Sequence, residues 1–280
     1  MKFDIIIGNP PYQEQKPGNR KTQPLWHKFV DKSLDDLIEA GFLVMVHPSG
    51  WRNIDGRFKA IQKRIKSKTI SNLKLHTFKQ GQEIFDAAIS FDFYCLNNVN
   101  NINYKTEILT TNNITEYINI SELEFISDEN IEFIQSLVAK NNQEKIKIIA
   151  DSTYHTQKDF VIKYKDNEHV YPVVYTVKSP TKGSIPTFWY TNKNNKHFGI
   201  PKLIWANGAS GVTIDDKGLY GLTQFAYAVV DTLDNLENIK KAMLNKRFIK
   251  DIMGFKHSLG DKYNRKIIAT FRKDFWKEFI

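Results

Sequence analysis

Apolar residues near the start of the chain fall into short runs, and between those runs they take up helical spacing. The run at 3–7 (FDIII), stopped by Gly8, Pro10 and Pro11, predicts a strand buried on both faces of a parallel sheet. Leu25, Phe29, Leu34, Leu37 and Ile38 recur at helical spacing, and Gly41 predicts the end of that helix. Residues 42–46, stopped by Pro48, predict a second buried strand. Phe58, Ile61 and Ile65 predict a second helix with a basic polar face, and residues 73–78 and 87–96 predict two further strands. Residues 1–97 thus read β-α-β-α-β-β, an α/β pattern that amounts to part of a doubly wound sheet.

The polar, Asn-rich stretch 97–103 predicts a domain junction, with a second domain over 98–280. There the texture changes. An amphipathic helix is expected over 131–138, short β-like runs at 170–177 and 188–190, and a helical tail over 236–253. Pro172, Pro180, Pro186 and Pro201 punctuate the region, so the second domain reads as irregular α+β. No internal repeat is visible.

Composition narrows the classes. Of 280 residues, 41% are hydrophobic and 25% charged, the balance of a globular chain. No stretch approaches the roughly 18–20 consecutive apolar residues of a membrane span. The apolar run at the N-terminus is too short for a signal peptide. A single cysteine, Cys95, argues against a disulfide framework or a cysteine-rich zinc site. The expectation is a cytoplasmic protein with no membrane partner.

Charge adds a direction. With 40 basic and 31 acidic residues the net charge is +9, which favours a polyanionic partner. From Arg52 to Lys74 there are eight basic residues against one acid, and from Lys240 to Lys277 twelve against three. Between Lys105 and Asp159 the balance reverses to five basic and ten acidic. Arg57, Lys59, Lys63 and Arg64, on the second helix, are candidates to face a phosphate backbone. Lysines that merely solvate helices explain the same counts.

Candidate chemistry lies directly after the first strand. Asn9-Pro10-Pro11-Tyr12 falls at the carboxyl end of that strand, where open α/β sheets bind ligands. Pro10 and Pro11 fix φ and remove two backbone donors, leaving carbonyls on a stiff turn. Asn9 adds an amide acceptor and Tyr12 a flat aromatic face. Acceptors beside an aromatic plate suit an exocyclic amino group on a planar ring. A turn that only terminates a strand is the plainer alternative.

The string FDIIIGNPPYQ resembles motif IV of the amino-group DNA methyltransferases, above all the gamma-type N6-adenine enzymes of restriction–modification systems. Residues 41–51 (GFLVMVHPSGW) resemble the next strand and loop of that family, and Glu83-Ile84-Phe85 resembles the place where it presents an aromatic residue to the target base. The resemblance implies a Rossmann-like methyltransferase sheet, S-adenosyl-L-methionine as methyl donor and double-stranded DNA as substrate. By it, Asn9 and Pro10 hold the adenine amino group, Pro11 stiffens the turn, Tyr12 stacks on one face of the flipped base and Phe85 packs on the other. Stacking worth about 1–3 kcal/mol per base helps offset the cost of flipping. Residues 202–208 and 216–224 loosely resemble segments of the family's target-recognition region, which implies that 98–280 recognises DNA.

One departure is plain. In gamma-type order a glycine-rich turn and an acidic ribose ligand precede NPPY, which here begins at residue 9. The glycine-bearing run 207–211 follows apolar residues, but β-like residues and no helix follow it, so it lacks the context of a nucleotide loop. The expectation is an incomplete S-adenosylmethionine site, completed by a second polypeptide or lost by truncation. Other readings stay open: methylation of RNA or of a protein glutamine, and a non-catalytic DNA-binding or specificity module.

Overall fold

The structure, a computed structural model, describes residues 2–14, 22–54, 56–101, 103–208, 211–253 and 263–280. The chain divides into two units, Met1–Gln135 and Ser136–Ile280.

The first unit runs β1 (Phe3–Gly8), β2 (Gln13–Glu14), β3 (Gln23–Pro24), α1 (Trp26–Asp36), β4 (Leu37–Pro48), α2 (Lys59–Lys66), β5 (Lys68–His76), α3 (Phe78–Phe85), β6 (Phe91–Asn100), β7 (Thr106–Leu109) and β8 (Thr115–Ile118), and the division between the units falls within α4 (Ile131–Leu137). Six strands form one sheet in the order β1-β4-β6-β5-β7-β8. β1 is parallel to β4, β6 is antiparallel to both β4 and β5, β7 is parallel to β5, and β8 is antiparallel to β7. The fold is therefore mixed α/β, and β1, β4 and β5 all end at the same edge of the sheet.

Strand alternation gives this sheet two unlike faces. Leu43 and Met45 of β4, Tyr94 and Leu96 of β6, and Leu73 and Leu75 of β5 share one face and are buried. α1 covers that face with Trp26, Val30 and Leu34, four residues apart, and α2 adds Ile61 and Ile65. The opposite face carries Ile5 and Ile7 of β1, Phe42 of β4 and Phe93 of β6, exposed by 59%, 76%, 43% and 37%. β1 was expected to be buried on both faces. It is instead an edge strand whose outer apolar residues no described residue covers.

Three boundaries differ from the expectation. Leu37 leaves α1 and pairs with Phe3, so the helix stops at Asp36 and Gly41 lies inside β4. Strand alternation through Leu37 had imitated the last helical turn. Between β5 and β6 lies α3, opened by a capping box in which the Thr77 hydroxyl accepts from the Gln80 N–H and the Gln80 side chain accepts from the Thr77 N–H. Finally, β6 runs on through the Asn-rich stretch, Asn97 pairing with Thr69 and Asn100 with Lys68, and β7 and β8 extend the same sheet. The first unit accordingly continues to Gln135, beyond the expected junction; Ile102 lies outside the described residues.

The second unit holds β9 (Lys147–Ile149), β10 (Val161–Ile162), β11 (Tyr171–Val177), β12 (Pro186–Thr191), β13 (Lys202–Ala206), β14 (Val212–Asp215), β15 (Gly221–Leu222), β16 (Ala226–Val230), α5 (Leu233–Leu244), α6 (Lys246–Met253) and α7 (Arg265–Ile268). Two four-stranded sheets, β10-β12-β11-β15 and β14-β13-β16-β9, share a core that includes Val174, Val177, Ile204, Leu222 and Ala228. The helical tail comprises two helices, α5 and α6, and not one.

The glycine-bearing segment near 216–224 has a structural explanation. Buried Lys202 donates to Asp215 at 2.7 Å, and Asp215 accepts the N–H groups of Leu219 and Tyr220. Gly218 holds φ +67° in this turn, and a Cβ there would lie 2.3 Å from the Ile200 nitrogen, so no other residue fits. Of residues 207–211, Ala209 and Ser210 lie outside the described residues, and strand β14 follows Gly211 where a nucleotide loop would open a helix.

Candidate active site

The carboxyl ends of β1, β4 and β5 converge with the start of β6, and the NPPY turn sits at this edge. Asn9 and Pro11 are exposed, Pro10 is buried and Tyr12 is half-buried. No described residue donates a hydrogen bond to the exposed Asn9 side chain or to the carbonyl of buried Pro10. The Tyr12 carbonyl accepts from the Leu25 N–H at 3.0 Å, and β2 pairs with β3 just beyond, which pins the turn to the start of α1. The Tyr12 hydroxyl is buried without a hydrogen-bond partner, and burial raises its pKa. The phenol is therefore neutral at physiological pH.

Phe85, at the last turn of α3, meets Tyr12 edge-on, with ring centroids 6.0 Å apart and planes at 81°. Sequence reasoning had placed the two rings on opposite faces of one base. Here the two rings meet perpendicular to each other, and Phe85 also packs edge-on against Phe91 at 4.9 Å. Phe91 in turn stacks on His76 at 4.1 Å, so the site is backed by an aromatic row, His76–Phe91–Phe85–Tyr12. Gly81 sets the position of this row. A Cβ on it would lie 1.9 Å from the Ile89 carbonyl oxygen, so α3 sits directly against the 87–89 segment.

The loop after β4 forms the other wall. Ser49 and Ser90 share a hydroxyl hydrogen bond of 2.6 Å, and the Ser49 N–H donates to the Ser90 carbonyl. Beneath this wall Arg52 is fully buried. It donates to Asp92 at 2.8 Å, to Asp128 at 2.9 Å and to the Ile126 carbonyl, while the Trp51 indole also donates to Asp92. His47 stacks on Trp26 at 4.3 Å, donates from Nδ1 to the Pro48 carbonyl and accepts at Nε2 from the Tyr94 hydroxyl. Burial drives its pKa down to about 4, against the pull of the Pro48 carbonyl. The corner at 48–52 is thus held by a neutral imidazole and by the ion-paired Arg52.

The basic candidates divide. Lys59 and Lys63 are exposed and share one face of α2, and Arg57 is exposed while donating to Gln23. Arg64 is committed to α1, pairing with Asp31 and with Asp35 at 2.7 Å. Arg52 and Lys66 are spent internally as well, Lys66 donating to the Leu123 carbonyl. The basic count over 52–74 therefore overstates the free positive surface.

The sequence does not reveal His76, the serine pair or the buried Arg52 as neighbours of this corner. Only the Thr77–Gln80 capping box was a readable signal, since it marks the helix that carries Phe85. Among the described residues no helix is long and apolar enough to cross a membrane.

No curated protein sequence matches the chain. Among solved structures, similarity extends to the type IIL restriction-modification enzyme MmeI in complex with DNA (10% identity over 96% of this chain and 45% of that one, TM-score 0.46). It extends also to a nuclease-deletion mutant of the type ISP restriction-modification enzyme LlaGI (10% identity, 97% and 34%, TM-score 0.42) and to the M protein of the type I enzyme EcoKI (14% identity, 34% and 21%, TM-score 0.28). The chain thus spans less than half the length of each. Residues 1–85, which hold the NPPY turn, α2 and Phe85, match the family described as Eco57I restriction-modification methylase.

Proposed function

We propose that this chain supplies the base-holding part of an S-adenosylmethionine-dependent adenine-N6 DNA methyltransferase of a restriction–modification system, with residues 136–280 contacting the DNA. The observation that carries the reading is the pair of unengaged acceptors, Asn9 and Pro10, beside the Tyr12 ring at the carboxyl edge of the sheet. The family match over residues 1–85 supports it. The two hydrogens of an adenine amino group fit the Asn9 side-chain oxygen and the Pro10 carbonyl. Tyr12 takes one face of the extrahelical base, and Phe85 holds the edge of Tyr12 in place. Donating both hydrogens shifts the amino nitrogen towards sp3 character, which withdraws its lone pair from conjugation with the ring and frees it to attack an electrophile. Lys59, Lys63 and Arg57 are the candidates for phosphate contact on this unit.

The donor supplies an electrophilic methyl group when bound, and the run at 207–211 lacks the loop-to-helix context that would hold it. That glycine-bearing run leads into strand β14, and among the described residues no strand pairs with the outer edge of β1, beside the NPPY turn. A second polypeptide that adds a strand to β1 and covers Ile5, Ile7, Phe42 and Phe93 would bury the open face and bring the donor-binding half. The test is transfer of a labelled methyl group to adenine-containing duplexes by this chain, alone and with the product of the neighbouring gene. Transfer by the pair and its loss in Asn9→Ala is the expected result. Transfer that persists in Asn9→Ala removes the proposal.

A further inference from the structure

A cleft of about 530 Å³ lies within the second unit, lined by Lys163, Tyr164, Lys165, Tyr175, Trp189 and neighbouring residues of β12. Its origin is local. β10 pairs with β12 only through Val161–Thr191 and Ile162–Tyr190, after which 163–165 bends away while β12 continues along β11. The gap exposes one side of β12 from Thr187 to Trp189.

The lining is unusual in two respects. Its aromatic rings are accessible: Tyr164 is 74% exposed, and Tyr175, itself 37% exposed, lies in an offset stack with Trp189 at 5.8 Å and 23°. Its charges have one sign. Lys163 and Lys165 line the cleft with no carboxylate among its described lining residues, and Lys163 sits over the Tyr164 ring at 5.2 Å. Two further lysines, Lys158 and Lys193, lie over Phe160, the residue before β10. A purely apolar ligand would leave the lysines without partners, and a duplex backbone would leave the rings unused. A nucleotide whose base is out of the helix uses both, its base on the rings and its phosphates on the lysines.

We infer that this cleft binds an unpaired nucleotide within a single-stranded segment of nucleic acid. It is a site separate from the NPPY turn and it does not depend on methyl transfer. The test is fluorescence anisotropy of a labelled thymidine oligonucleotide of about ten nucleotides with the full chain, competed by a duplex of equal length. The single strand is expected to compete better than the duplex. Tyr164→Ala, a change at a highly exposed position, is expected to weaken binding about fivefold or more. Lys163→Glu with Lys165→Glu is expected to lower the slope of log K against log salt by about one. The probe carries no adenine and the readout involves no methyl transfer, so failure of the methyltransferase reading would leave this result intact. Wild-type binding by Tyr164→Ala and by the double lysine variant, or equal competition by duplex, would overturn the inference.

Discussion

Lowering the pH should loosen the wall of the candidate site through one residue, His47. In the unfolded chain its imidazole takes up a proton near 6.5, but in the folded chain only near about 4, because the ring is fully buried between Trp26 and Tyr94. Between those values the unfolded state binds the extra proton, so the contribution is complete above 6.5 and is lost as pH falls towards 4. The difference corresponds to about 3 kcal/mol in full, of which about 2 kcal/mol is lost on going from about pH 7.5 to about pH 5. The assay is urea denaturation across that range for the wild type and for His47→Gln, whose side chain does not titrate. The variant is less stable at neutral pH, since it gives up the Trp26 stack, but its stability should fall less steeply. Slopes from His27, His76 and His197, whose pKa values are also lowered by burial, are shared by both proteins and cancel in the comparison. Parallel loss of stability in the two proteins would refute the burial argument.

The other predictions concern packing and pairing. Gly81→Ala should cost about 1–3 kcal/mol by thermal denaturation, because its Cβ meets the backbone of Ile89 and forces α3 outward. Arg52→Met should cost about 3–5 kcal/mol in urea denaturation, since the fully buried Asp92 and the half-buried Asp128 keep their charges after losing the guanidinium. Ile7→Glu, at a position 76% exposed, should change the stability of the chain by less than about 0.5 kcal/mol yet abolish co-purification with the second polypeptide.

Much of the first unit was legible because its signals are local. The 3–7 run, the apolar spacing of α2, the prolines after β1 and Pro48 at the end of β4 each act within a few residues, and the NPPY turn follows β1 as that reading put it. Features set by distant partners were not legible. Arg52 counted as a free cation until the fold brought Asp92 and Asp128 to it, and Arg64 until α1 presented Asp31 and Asp35. The Asn-rich stretch looked like a linker because its composition is polar, yet it lies largely within β6, where ladder hydrogen bonds from β5 outweigh the weak strand propensity of asparagine. The perpendicular contact of Tyr12 and Phe85 depends on Phe91 and His76, which approach from β6 and β5 and carry no motif of their own.

The most direct measurement is the identity of the methylated nucleoside. DNA from cells carrying this gene with its neighbour, digested and resolved by mass spectrometry, is predicted to contain N6-methyladenine. The same cells carrying Asn9→Ala are predicted to lack it, although the variant melts as the wild type does. N6-methyladenine at an undiminished level in Asn9→Ala, or methyl groups on cytosine alone, would contradict the account.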